Sequence, residues 1–240
     1  MDSFLDAAST ANLHADVRRA WVGGALKEKG GLTDAREGKN TNYSRDETRG
    51  DFLGWFNGSE EGMWTQEKSL IGSTSAAAPP DSLSGYILKV STLLEELKPL
   101  LPLELGDVCE RSRAMVTCYP PNAHYSKHVD NGGSLSNGRR LTTLLYLNVD
   151  WVEGDGGELA LYDPTDISRR VKTIEPLGGR CVLFWSDRRV PHEVLEAHKD
   201  RFTITIWFFS ARELAEAKRL GVHPEDLDQD NKVKEGVGEK

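Results

Sequence analysis

The sequence predicts an α+β chain in which N-terminal helices brace one face of a barrel or sandwich of short β-strands. Three observations point there. Apolar residues recur at helical steps in the N-terminal part, short runs rich in Val, Ile, Thr, Leu and aromatics follow Arg113, and Gly- and Asp-rich turns separate those runs. A chain of 240 residues buries one sizeable core, and barrels of this length commonly fold as a single domain. The expected organisation is one domain over residues 1–220, with helical support to about residue 103 and a barrel core over about 104–210, followed by a tail over 221–240.

Taken in order, Leu5, Leu13, Val17, Trp21 and Leu26 fall at mixed helical spacings between about Ser3 and Lys29, and Gly30-Gly31 reads as the stop of that helical layer. Thr33 to Asp51 is polar, with no apolar period, and reads by composition as a surface connector. A second loop, Ser73 to Pro80, leads into an amphipathic helix in which Ile87, Val90, Leu93, Leu94, Leu97 and Leu100 share a face, with Pro102 as its stop. Strands are expected over Ala114 to Tyr119, Leu141 to Val149, Glu158 to Tyr162, Arg180 to Trp185 and Phe202 to Phe209. Ala211 to Leu220 reads as a last helix, and Val222 to Lys240 as a charged, frayed tail.

Composition excludes several classes of function. A formal net charge of −8 argues against a nucleic-acid partner, which requires a basic stripe to neutralise phosphates. Cys109, Cys118 and Cys181 are odd in number and form no CxxC, so they read as reduced thiols of a cytoplasmic or nuclear protein, without a structural zinc site. No apolar run reaches the roughly 20 residues of a membrane span, and no signal-peptide pattern opens the chain. The expectation is a protein off the membrane, and a monomer.

Chemistry concentrates downstream. In His128-Val129-Asp130 an imidazole and a carboxylate two residues apart project from one face of a strand. Alone, such a triplet is more often a structural feature than a metal site. Pro191-His192-Glu193, beyond the strand ending at Trp185, offers a second imidazole to the same mouth. Two His and one carboxylate make the facial triad of non-haem Fe(II) oxygenases, which leaves positions open for co-substrate and oxygen. Zinc, in a tetrahedral site, is the alternative metal. In the strand that begins at Arg201, Phe202, Ile204, Ile206 and Phe208 form an apolar face for the helices, whereas Arg201, Thr203, Thr205, Trp207 and Phe209 look into the barrel. A guanidinium there calls for an anion, either one of the protein's own carboxylates or a bound dicarboxylate gripped bidentately. Thr142, Leu144 and Tyr146 share a face of the neighbouring strand, and a half-buried tyrosine there is ordinarily core filling.

Six runs in order, Ala114 to Pro120, Tyr125 to Asn131, Leu145 to Asn148, Phe184 to Arg189, Pro-His-Glu-Val from Pro191, and Thr-Ile-Trp-Phe from Thr205, strongly resemble the hypoxia-inducible-factor prolyl hydroxylases. The match is dense from Ala114 to about Arg212 and thinner upstream, at Arg49-Gly50-Asp51 and Trp55. The resemblance implies a double-stranded β-helix, a jelly-roll or cupin-like barrel, with Fe(II) on His128, Asp130 and His192. It implies 2-oxoglutarate and O2 as co-substrates, with ascorbate as a further cofactor. Arg201 and the Tyr146 hydroxyl would meet the far carboxylate of 2-oxoglutarate, and Tyr119, Leu144, Thr205 and Trp207 would line its pocket. Tyr125 and Arg139 would stand near the target proline of a protein substrate, and Thr33 to Asp51 would fold over that substrate. The implied activity is peptidyl-proline 4-hydroxylation, possible in oxygen sensing. The alternatives are an oxygenase acting on another residue, a free amino acid or a nucleobase, and a catalytically silent barrel used as a binding module. Two departures stand beside the substrate entrance. Asn131 is followed by Gly132-Gly133 where the animal enzymes have Pro, and the segment from Tyr119 to His128 is shorter.

Overall fold

The computed structural model describes residues 1–26, 28–29, 48–57, 83–132 and 136–221. The expected loop at Ser73 to Pro80, the stop at Gly30-Gly31, the tail from Val222 and most of Thr33 to Asp51 lie outside them.

Helix α1 (Ala7–Val22) starts at Asp6, whose carboxylate accepts the Ser9 N–H at 2.8 Å. It ends earlier than expected. Gly23-Gly24 stops it, with the Gly23 N–H donating to Arg19 O at 2.8 Å and Gly24 at φ +72°. Glu28–Lys29 is a short strand, β1, instead of helix, paired with β2 (Phe52–Phe56). Helix α2 (Leu83–Leu97) follows. Pro102 does not end it but begins α3 (Pro102–Leu105), where its fixed φ and missing N–H cost nothing at the first helical position.

The barrel strands are β3 (Val108–Arg111), β4 (Ala114–Tyr119), β5 (Tyr125–His128), β6 (Arg139–Tyr146), β7 (Leu159–Tyr162), β8 (Arg170–Ile174), β9 (Cys181–Trp185), β10 (His192–Val194) and β11 (Arg201–Ser210), and α4 (Ala211–Arg219) follows. The expected strand at Leu141 begins two residues earlier and stops at Tyr146, three short of Val149. Antiparallel pairing gives a major sheet in the order β1-β2-β4-β11-β6-β9, with β3 also on β11, and a minor sheet β5-β10-β7-β8. Two such sheets facing each other form a double-stranded β-helix. The helical region thus also contributes two strands to the major sheet.

β11 sits between β4 and β6, and all ten of its residues are buried. Phe202, Ile204, Ile206 and Phe208 point outward into the main core with Leu13 and Val17 of α1 and Tyr86, Ile87, Val90 and Leu94 of α2. Burying these apolar faces, at roughly 25 cal/mol per Å², fixes the sheet against the helices. The opposite face of β11 looks into the barrel, and there the polar residues gather. Cys109, Cys118 and Cys181 are all free thiols, and burial pushes Cys181 up to about 12. Among the described residues no helix is long and apolar enough to cross a membrane.

Candidate metal and co-substrate site

Three strands build the metal end. β5 and β10 pair with His128 directly opposite His192, which sets the two imidazoles side by side with ring centres 4.3 Å apart. Asp130 follows β5, and its Oδ1 lies 3.6 Å from His128 Nε2 and 3.8 Å from His192 Nε2. One ligand atom from each of the three falls within 4.8 Å of the others. Both Nδ1 atoms are committed to backbone carbonyls, His128 to Ser126 O at 2.8 Å and His192 to Val190 O at 2.9 Å. A nitrogen facing a carbonyl oxygen must donate, so each ring carries its proton on Nδ1 and turns the Nε2 lone pair toward Asp130. The second carboxylate oxygen of Asp130 accepts from the Thr142 hydroxyl at 2.6 Å, and Thr142 also meets Ser186 Oγ at 2.8 Å.

Electrostatics match that geometry. Burial by itself would raise the Asp130 pKa, but the adjacent His128 and His192 rings and Arg139 hold it well below the usual carboxylate range. Burial, with the His128 ring beside it, pushes His192 down from 6.5 to about 4 against the opposing pull of Asp130. At neutral pH the three groups are one carboxylate and one neutral imidazole with a second imidazole beside it, the donor set of a divalent metal. Tyr125 stacks on His128 at 3.7 Å between ring centres, and Phe184 packs edge-on against His192 at 4.7 Å.

The anchor end lies along the same two strands. Register places Trp207 opposite Thr142, Thr205 opposite Leu144 and Thr203 opposite Tyr146. Arg201, only 3% exposed, stands opposite Tyr119. Its Nε donates to Gly157 O at 2.6 Å and its Nη1 to Thr203 Oγ1 at 2.7 Å, while its guanidinium carbon lies 4.9 Å from the Tyr119 ring centre and 5.1 Å from that of Tyr146. Among the described residues no carboxylate pairs with it. Among the described residues the Tyr146 hydroxyl and the Trp207 indole N–H are also buried without a hydrogen-bond partner. A buried cation beside an unsatisfied hydroxyl is costly, and a dicarboxylate offers oxygens to both.

The structure therefore brings every expected site residue to the barrel's interior or its mouth. Tyr119, Leu144, Tyr146, Thr205, Trp207 and Arg201 are buried along β4, β6 and β11, Tyr125 covers His128, and the Arg139 guanidinium lies 3.9 Å over the Trp207 ring. Several contributors escaped sequence reasoning. Thr142 was legible only as a face-mate of Tyr146, and Ser186 carried no signal. Gly157 has φ +74° and sits where a Cβ would come 2.6 Å from Arg201 Cδ, so only glycine allows that carbonyl to reach the guanidinium. Arg49 and Asp51 form a buried pair, Nη2 to Oδ2 at 2.8 Å, with the guanidinium 4.5 Å from the Tyr125 ring.

Among jelly-roll barrels, a facial triad next to an anion-seeking arginine is the arrangement of the Fe(II)- and 2-oxoglutarate-dependent oxygenases. Residues 114–209 match the model of the 2OG-Fe(II) oxygenase superfamily. The chain is 34% identical to mouse prolyl hydroxylase EGLN3 over 223 residues, which is 91% of this chain and 81% of that protein. Among solved structures it is similar to a Trichoplax adhaerens prolyl hydroxylase in complex with a hypoxia inducible factor oxygen degradation domain peptide fragment, at a TM-score of 0.68 and 31% identity, covering 90% of this chain and 85% of that one. It is similar also to a Pseudomonas putida prolyl-4-hydroxylase, at a TM-score of 0.63 and 28% identity, covering 87% and 90%. The chain belongs to the 2-oxoglutarate–Fe(II) oxygenase superfamily and, within it, to the prolyl hydroxylases.

Proposed function

We infer that the chain hydroxylates C4 of a proline in a protein substrate, in oxygen sensing, converting 2-oxoglutarate and O2 to succinate and CO2. One oxygen atom ends in the hydroxyproline and the other in succinate. The observation that carries this reading is the pairing of a metal-ready triad with a buried guanidinium that has no carboxylate partner among the described residues. Bound Fe(II) supplies the activation of O2, chemistry that no side chain provides.

His128, Asp130 and His192 are the residues that would hold Fe(II). The carbonyls of Ser126 and Val190 keep both imidazoles in the ligating tautomer, and Thr142 occupies the carboxylate oxygen turned away from the histidines. Arg201 and the Tyr146 hydroxyl would receive the far carboxylate of 2-oxoglutarate, with Tyr119, Leu144, Thr205 and Trp207 as its walls. Tyr125, stacked on His128 and backed by Arg49, and Arg139, braced on Trp207, are the candidates to orient the prolyl segment. A catalytically silent barrel has no use for an intact triad and an intact anchor together.

The test is direct. Purified protein with Fe(II) and 2-oxoglutarate is incubated with proline-containing peptides, and mass spectrometry locates any added oxygen. Hydroxyproline formed in step with succinate supports the reading; oxygen found only on another residue or on a free amino acid overturns the assigned substrate.

A further inference from the structure

Beside the metal end lies an open groove of about 560 Å³, lined by Asn131, Ser136, Pro164, Asp187, Arg188, Arg189 and Glu213. It begins one residue after Asp130 and includes a residue four positions before His192. It also lies away from the anchor residues. The anchor residues follow β6 from Thr142 toward Tyr146, whereas the groove adjoins the Arg139 end of that strand, where Asn131 Nδ2 donates to Arg139 O at 2.9 Å. A polypeptide with its proline at the metal can run through this groove without meeting 2-oxoglutarate.

The charges lining the groove do not cancel. Asp187 is taken by Arg189, whose Nε and Nη2 reach its two oxygens at 2.8 and 2.7 Å. Glu213, in the first turn of α4, is taken by Arg140 at 2.6 Å and also accepts from the Ser136 hydroxyl at 2.7 Å. Both acids of the groove are therefore neutralised within the protein. Arg188 is not. It is exposed, and among the described residues the hydrogen bond of its side chain is a 3.5 Å approach of Nη2 to Gly132 O, with no carboxylate paired to it. In a chain of net charge −8, the groove next to the catalytic mouth thus presents a cation with free donors. A guanidinium matches a carboxylate in planar, two-point geometry, and charge complementarity of this kind selects partners and rejects like charge.

We propose that this groove is a substrate-reading subsite, in which Arg188 binds an acidic side chain a few residues to one side of the target proline. The inference rests on the prolyl hydroxylase reading above and narrows its substrate to acidic-flanked prolines. Asp187–Arg189 and Glu213–Arg140 act as walls that hold the groove open and leave Arg188 as its recognition charge.

The experiment uses the full chain with Fe(II) and 2-oxoglutarate and a peptide set with one central proline, in which each flanking position is in turn Glu, Gln or Lys. Glu peptides should show a KM about threefold to tenfold below that of their Gln counterparts, the range of a partly exposed ion pair, and only on one side of the proline. Arg188→Gln should erase the preference, and Arg188→Glu should transfer it to the Lys peptides. In both variants the change falls on the peptide KM, not on kcat or on the KM for 2-oxoglutarate, a split that general misfolding does not produce. Equal KM values for Glu and Gln peptides, or an Arg188→Gln enzyme that keeps the preference, would overturn the subsite while leaving proline hydroxylation standing. Hydroxylation of no proline peptide in the set would overturn the parent reading and this one with it.

Discussion

The metal end and the anchor end of the barrel share strands, yet they are finished to different degrees. At the metal end the protein supplies every supporting contact itself: two carbonyls fix the imidazole protons and a threonine fixes the carboxylate. At the anchor end, among the described residues, it leaves a buried guanidinium without a carboxylate and a tyrosine hydroxyl without a hydrogen-bond partner. The difference teaches where binding energy is reserved. A metal site must be rigid before the ion arrives, because ligand geometry decides which ion it takes. A co-substrate pocket gains selectivity from polar groups that only the right diacid satisfies.

That comparison can be broken most forcefully at the ligands. His128→Ala or Asp130→Ala is expected to abolish 2-oxoglutarate turnover, a loss on the order of a thousandfold or more, since each removes one of three protein donors. Full succinate production by either purified variant would end the assignment. The next effect is on stability. His192 is neutral in the fold with its pKa moved from 6.5 to about 4, whereas the unfolded chain protonates near the ordinary value. The metal-free protein should therefore keep this contribution above about pH 6.5 and lose it as pH falls to about 4, by on the order of 3 kcal/mol. Urea melts across that range check it, and His192→Gln should lack that part of the slope.

At the other end, Arg201→Ala should raise the 2-oxoglutarate KM about a hundredfold, the cost of losing a buried charged partner. Because the guanidinium has no anion partner among the described residues, Arg201→Met should unfold no earlier than the parent when both lack ligand, and only the parent should gain Tm on adding 2-oxoglutarate. A ligand-free Arg201→Met protein that melts well below the parent would show the anchor to be built into the fold, and the contrast between the two ends would fall. The smallest effect is expected for Thr142→Val, about a tenfold loss in Fe(II) affinity from one supporting hydrogen bond. Fe(II) titrations of the two proteins measure it.

The fold was most legible where one face is buried against something apolar. Alternation along Phe202 to Phe209 assigns the helix-facing and barrel-facing residues of β11 correctly, because a strand's side chains alternate whatever its partners are. The short strands β8 and β10 were not assigned, since three to five residues with exposed or mixed faces carry no period of their own, and the strand expected to carry His128 and Asp130 on one face ends at His128, with Asp130 in the turn beyond it. Residues with a local stop signal were misjudged where two signals compete. Gly23-Gly24 ends α1 before Gly30-Gly31 is reached, and Pro102 opens a helix because its ring is equally at home in a first turn.

By itself the sequence determined the chemistry available to this protein: the His-x-Asp triplet, the later histidine, and an arginine at the head of a strand that turns it inward, all carried by residue type and local period. Only the tertiary structure decided that β5 and β10 pair in the register that faces His128 with His192, that Thr142 reaches Asp130, and that Gly157 comes close enough to hold Arg201. Only there, too, are Asp187 and Glu213 neutralised by neighbours while Arg188 is left without a carboxylate among the described residues. Register, close approach and the pairing of charges depend on which segments meet across the barrel, and that is settled by burying every apolar face at once, not by any stretch of chain alone.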